Sequence, residues 1–145
     1  GSVNDCADTL APYVSTMGSR VFAHGLVSRA EVQVAMGDAD VLVNIGNASA
    51  AQLASKVIEY MAMGKPILNL VSIDRDASGA ELADYPASFT IARFDEVASA
   101  SMVAGALAFV TQSRPVSPAV VAKVRGKYSE DSVAGLYLSL LDGKH

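Results

Sequence analysis

Four polar residues, Gln52, Ser55, Lys56 and Glu59, recur at i, i+3, i+4 and i+7, the spacing that lines side chains along one face of a helix. Leu53, Val57, Tyr60 and Met61 supply the apolar face of the same helix. Ahead of it stand Asn44-Ile45-Gly46-Asn47 and a run of small residues through Ala51. A helix that starts after a strand end and a small-residue loop presents unpaired amides and the positive end of its dipole, which favour an anion. A serine there adds a donor and a lysine a full positive charge. A glutamate one or two turns further on accepts hydrogen bonds from vicinal hydroxyls such as those of a ribose, so the set suits a nucleoside diphosphate.

The same residues admit a purely structural reading. Ser49-Ala50-Ala51-Gln52 fits a capping box, Lys56 and Glu59 fit a solvated helix face, and Gly64-Lys65-Pro66 fits a stop and restart of the chain. The order of the charges leans slightly toward a ligand, because the stabilising helix pair prefers glutamate before lysine.

The elements that must position this stripe alternate between short β-rich runs and longer helical ones, which predicts an α/β fold with a parallel sheet. Residues 5–17 have helical character and Gly18 stops them. Val21-Phe22-Ala23 is expected as a short strand ending at His24-Gly25. Ser28 and Glu31 form a capping box for a helix over residues 29–36, closed by Gly37. Residues 41–45 predict a second strand, apolar on both faces and therefore covered by helices on both. The stripe's helix runs to about Met63, Gly64 caps it, and a strand follows over residues 67–71. Residues 72–86 read as a loop with a helical turn around Glu81, and Phe89-Thr90-Ile91-Ala92 as the final strand. Residues 95–111 predict a long helix, Ser117-Pro118 an N-cap and N1 proline, and Ser129-Glu130-Asp131 the start of a last helix through Leu141.

With 145 residues, 51% hydrophobic and 18% charged, the chain is expected to fold as one domain over residues 3–145. A net charge of −4 provides no positive field for a nucleic-acid backbone or anionic lipid. Cys6, the single cysteine, has no internal disulfide partner, and no Cys/His cluster has zinc-ligand spacing, so neither a metal nor a cofactor is expected. Apolar runs fall short of the ~20 residues that span a bilayer and no basic-then-apolar leader opens the chain. The expected location is cytoplasmic, with membrane association of a longer enzyme left open.

Three segments, Val21-Phe22-Ala23-His24-Gly25-Leu26-Val27-Ser28, Ala39-Asp40-Val41-Leu42-Val43-Asn44 and Ser55-Lys56-Val57-Ile58-Glu59-Tyr60-Met61-Ala62-Met63-Gly64-Lys65-Pro66-Ile67, carry a resemblance in order over most of the chain. They resemble the C-terminal half of GT-B glycosyltransferases, most of all the retaining, family 4-like group. The resemblance implies a Rossmann-like lobe that binds a nucleoside diphosphate sugar, of UDP type, opposite an N-terminal lobe that binds the acceptor. It implies that Glu59 holds the ribose hydroxyls, that Ser55 and Lys56 meet the diphosphate, and that the backbone of Leu26 and Val27 reads the base. His24, at a strand end, is either structural or part of the site.

Two departures from the family pattern stand out. Ala51 occupies the position where many members carry a second glutamate against the donor sugar, so Gln52 and the loop from Asn44 to Asn47 are expected to take over that contact. The family's opening strand, glycine-rich turn and basic residue have no counterpart here, nor has the acceptor lobe. The chain is therefore expected to be a fragment whose exposed sheet edge invites self-association. No catalytic base or nucleophile can be named. Two alternatives to a glycosyltransferase of polysaccharide biosynthesis stay open: a nucleotide-sugar 2-epimerase of the same fold, and a non-catalytic nucleotide or protein interaction module.

Overall fold

A computed structural model describes residues 7–46, 49–96 and 99–141. Asp5, Cys6 and Asn47 lie outside the described residues. By its contacts the chain divides into two compact units, Gly1–Asp38 and Ala39–His145.

In the first unit, α1 spans Ala7–Met17, a 3-10 turn follows over Gly18–Arg20, and α2 spans Arg29–Asp38. The capping box at the start of α2 forms as expected. The Ser28 amide donates to Glu31 Oε2 (2.7 Å), and the Glu31 amide donates to Ser28 Oγ (3.3 Å). The Ser28 hydroxyl and amide together hold the Glu31 carboxyl below its ordinary range. The strand expected at Val21-Phe22-Ala23 does not form. Val21 is extended (φ −130°, ψ 121°), yet the three strands of the sheet all belong to the second unit. A strand needs a neighbour to take its amides, and three apolar residues do not supply one. Phe22 is accordingly exposed.

The second unit is α/β: an open, all-parallel sheet of β1 (Leu42–Ile45), β2 (Ile67–Val71) and β3 (Ser88–Ala92) in that spatial order, flanked by helices. This arrangement is compatible with a Rossmann-like lobe. α3 (Ser55–Ala62), α4 (Ala77–Leu82), α5 (Ala100–Gln112), α6 (Pro118–Lys127) and α7 (Glu130–Leu141) complete it. Leu42, Asn44, Ile67, Asn69, Ser88 and Thr90 share one sheet face by register, and the core forms on it from Val57 and Met61 of α3 with Ile67, Leu82, Tyr85 and Ala87. Burying two such α3 side chains stabilises by about 1.5–3 kcal/mol each. α6 backs α3 through Val120 and Val124.

The other face carries α5, whose Phe109 stacks on Phe89 of β3 at 5.7 Å. That helix covers β2 and β3 only, so the expected burial of β1 on both faces fails: Val43 and Ile45 are 48% and 57% exposed, while Leu42 and Asn44 are buried.

α5 begins at Ala100 rather than near residue 95. The Ser99 hydroxyl accepts from the Met102 amide (3.2 Å) and fixes the start, while residues 93–95 form a turn. The helical turn expected around Glu81 within residues 72–86 forms as α4, started by the Asp76 carboxylate, which accepts from the Gly79 amide (2.6 Å) and caps it. Pro118 at N1 of α6 and Ser129 ahead of α7 sit as read.

Candidate functional site

Gly46 ends β1 and passes close against the segment after β2; its amide donates to Leu70 O (2.8 Å). A Cβ at that position would lie 2.7 Å from Val71 Cγ1 and 2.8 Å from Asp76 Oδ2, so only glycine allows the approach. The small-residue loop then leads to α3, which starts later than the polar spacing predicts. Ala54 is the N-cap, extended at φ −74° and ψ 119°, and Gln52 precedes the helix. The Ser49–Gln52 capping box does not form either: Ser49 Oγ accepts from the Ala51 amide (3.4 Å), a local turn two residues long. Gln52 therefore leaves the helical stripe, while Ser55 and Lys56 become its first two residues.

That shift concentrates the positive end of α3 on the two side chains. No side chain caps the helix, and Ala54, with no hydrogen-bonding side chain, explains why. Ser55 and Lys56 are exposed and Glu59, one turn on, is half-buried. The Lys56 ammonium donates to Ile45 O at 3.4 Å, which holds its charge over the carboxyl end of β1. In an open parallel sheet that end is the rim where ligands bind.

Gly64 closes α3 at φ +74°, its amide donating to Met61 O (3.0 Å). Lys65 Nζ donates to Ala39 O (2.8 Å), and Lys65 O accepts from the Tyr85 hydroxyl (2.9 Å). Burial pushes the Tyr85 phenol up to about 12. Gly64, Lys65 and Pro66 thus serve as helix stop and strand anchor, holding α3 rather than touching its open end.

His24, Leu26 and Val27 belong to the first unit. His24 stacks on Phe22 at 6.1 Å between ring centroids, Leu26 is exposed and Val27 is half-buried. Among the second unit's residues the structure thus gathers Ser55, Lys56 and Glu59 on one short helix and leaves Gln52 outside it.

Asn44, expected in the loop at the donor sugar, is instead a fully buried residue of β1 and begins a polar row that crosses the sheet under this rim. Asn44 Nδ2 donates to Asn69 Oδ1 (2.6 Å) and Asn69 Nδ2 to Thr90 Oγ1 (3.3 Å), at one register level of all three strands. Both asparagines are fully buried, and Asn44 Oδ1 has no hydrogen-bond partner. The signal was an asparagine flanked by apolar residues in two successive strands, Val-Asn-Ile and Leu-Asn-Leu. Beside the row, a hollow of about 330 Å³ is walled by Val71, Asp74, Asp76, Gly79 and Thr90, with Arg75 at its lining. Arg93, at φ 52°, reaches Asp74 through Nε (2.8 Å) and Nη2 (3.3 Å) and ties the turn after β3 to this wall.

Among the described residues no group of His, Cys, Asp and Glu is arranged to hold a metal ion, and no helix is long and apolar enough to cross a membrane. No family model, curated protein or solved structure matches the chain.

Proposed function

We propose that the chain is the donor-binding lobe of a sugar-nucleotide-dependent glycosyltransferase of the GT-B type, taking a nucleoside diphosphate sugar, of UDP type, for transfer to an acceptor held by a second lobe. The observation that carries this reading is the uncapped start of α3 at the carboxyl rim of the sheet, with Ser55 and Lys56 as its first two residues and Glu59 one turn on. In this reading the Ser55 and Lys56 amides, the Ser55 hydroxyl and the Lys56 ammonium take the diphosphate, and Glu59 takes the ribose hydroxyls. Gln52 and Asn47 are assigned to the sugar.

The lobe's contribution to transfer is positioning the donor and stabilising the negative charge that builds on the leaving diphosphate. A fixed ammonium and fixed amides do this without reorganising. Calorimetric titration with UDP, GDP and their sugar conjugates tests the reading. Binding of a nucleoside diphosphate sugar, with the nucleoside diphosphate released and the sugar joined to acceptor only when an acceptor lobe is added, supports transfer. Conversion of the sugar nucleotide without acceptor replaces transfer by epimerisation, and failure of every nucleotide to bind replaces both by an interaction module.

A further inference from the structure

The hollow of about 330 Å³ beside the end of β2 has no role in the function proposed above. Its lining includes the Asp76 carboxylate, which is only 4% exposed. Oδ1 accepts from the Gly79 amide, and among the described residues no hydrogen bond reaches Oδ2. A Cβ on Gly46 would lie 2.8 Å from Oδ2 and one on Gly79 2.9 Å from Oδ1, so the two glycines make the room in which this carboxylate stands. On the β3 side of the hollow the Thr90 hydroxyl oxygen accepts from Asn69 Nδ2 (3.3 Å), which leaves its own hydrogen to donate. Arg75 also lines the hollow, while Asp74 is paired with Arg93.

We infer that this hollow holds the hexose ring of the donor, with Asp76 Oδ2 accepting from one ring hydroxyl and Thr90 Oγ1 donating to another. The inference rests on the proposed function and adds Asp76 and Thr90 to it. A hydroxyl both donates and accepts, and the hollow offers one partner of each kind. Charge selects against the other ligand classes. The Asp76 carboxylate repels the phosphates, which stay with Lys56, and the Arg75 guanidinium opposes a metal ion or an amine. A neutral, hydroxyl-bearing group is what both charges tolerate. The volume lies at the lower end of the range for small-molecule sites and suits a single sugar ring. The reach fits as well. Lys56 Nζ stands 3.4 Å from Ile45 O, and the next residue, Gly46, lies against Asp76, so ammonium and carboxylate are at most about 10 Å apart. A sugar phosphate bridges that distance, with its phosphate at the ammonium and a hydroxyl at the carboxylate. The Gly79 bond already fixes the carboxylate, so it meets the hydroxyl with little further ordering.

Calorimetric titration of the full chain with UDP, UDP-glucose, UDP-galactose and UDP-N-acetylglucosamine tests it. At least one sugar conjugate is expected to bind about tenfold or more tightly than UDP itself, the gain that a hydrogen bond to a charged group supplies. Asp76→Asn keeps an oxygen for the Gly79 amide, and hence the cap of α4, but puts a donor where Oδ2 stood. It is expected to remove that gain while UDP binds within about twofold of the parent. Should Asp76→Asn fail to fold, Ala80→Phe fills the hollow from an exposed position of α4 and is expected to have the same effect. If UDP binds and no conjugate binds more tightly, or if the gain survives in the folded variants, the inference is overturned and the nucleotide reading stands. If neither UDP nor any conjugate binds, the nucleotide reading itself fails and takes the inference with it.

Discussion

Replacing Gly64 with alanine strains the end of α3 in two separable ways. Gly64 sits at φ +74°, where an L-residue costs roughly 1–2 kcal/mol. Its new Cβ would also lie 2.9 Å from Val121 Cγ2 on α6. Val121 is β-branched and stiff at χ1, so it yields only by moving backbone, at about 1–3 kcal/mol. Gly64→Ala is therefore predicted to lose about 2–5 kcal/mol, read from urea unfolding at unchanged m. Val121→Ala removes the clashing methyl and leaves the backbone conformation untouched. In that background Gly64→Ala should cost only about 1–2 kcal/mol, and the difference is the steric part. Gly135→Ala, inside α7 with open space around it, should stabilise by about 0.5–1 kcal/mol. A Gly64→Ala chain within about 0.5 kcal/mol of the parent, or a cost that Val121→Ala does not reduce, refutes the reasoning.

Two further predictions concern charged groups. Burial opposes ionisation of Glu81, but the hydrogen bonds from Lys127 and Tyr128 and the charge of Lys127 together outweigh it and hold the carboxyl below its ordinary 4.5. Because the folded value is the lower one, the stabilisation is present above the unfolded value and fades as pH falls through the folded one. Glu81→Gln should abolish that acid-dependent component and cost about 1 kcal/mol or less at neutral pH, measured by unfolding across pH 3 to 7, roughly the carboxylate range. Ser28→Ala removes one half of the α2 capping box. Amide exchange in the first turn of α2 should quicken about fivefold, and the Glu31 carboxyl should titrate closer to its ordinary range, both followed by NMR.

The strands of the second unit were legible because each is an apolar run bounded by glycine, proline or aspartate, and Pro66 and Gly64 set the start of β2 within a residue. The helix starts at Ser28 and Ser129 were legible for a local reason, since the cap and its partner lie within three residues, and the start of α6 from the proline at its N1. Where reading failed, the deciding contact was distant or missing. Val21-Phe22-Ala23 has strand composition, but strand formation depends on a partner that composition does not reveal. Gln52 fits the helical spacing of Ser55 and Glu59, yet Ala54 takes the extended conformation and the helix begins after it. The open face of β1 follows from the reach of α5, which lies over β2 and β3. The buried asparagine row depends on strand register, which no single strand shows. Of the candidate site, the grouping of Ser55, Lys56 and Glu59 was readable from helical periodicity, and the exact helix start that sharpens it was not.

The central claim is that Glu59 meets a ribose while the start of α3 holds its diphosphate. The most direct measurement is a cycle of four affinities by calorimetry: UDP and its 2′,3′-dideoxy analogue, each against the parent chain and Glu59→Ala. If the carboxylate accepts from the sugar hydroxyls, either change alone weakens binding by about 1–3 kcal/mol and the second adds little once the first is made. Equal affinity of Glu59→Ala and the parent for UDP, or losses that simply add, would contradict it.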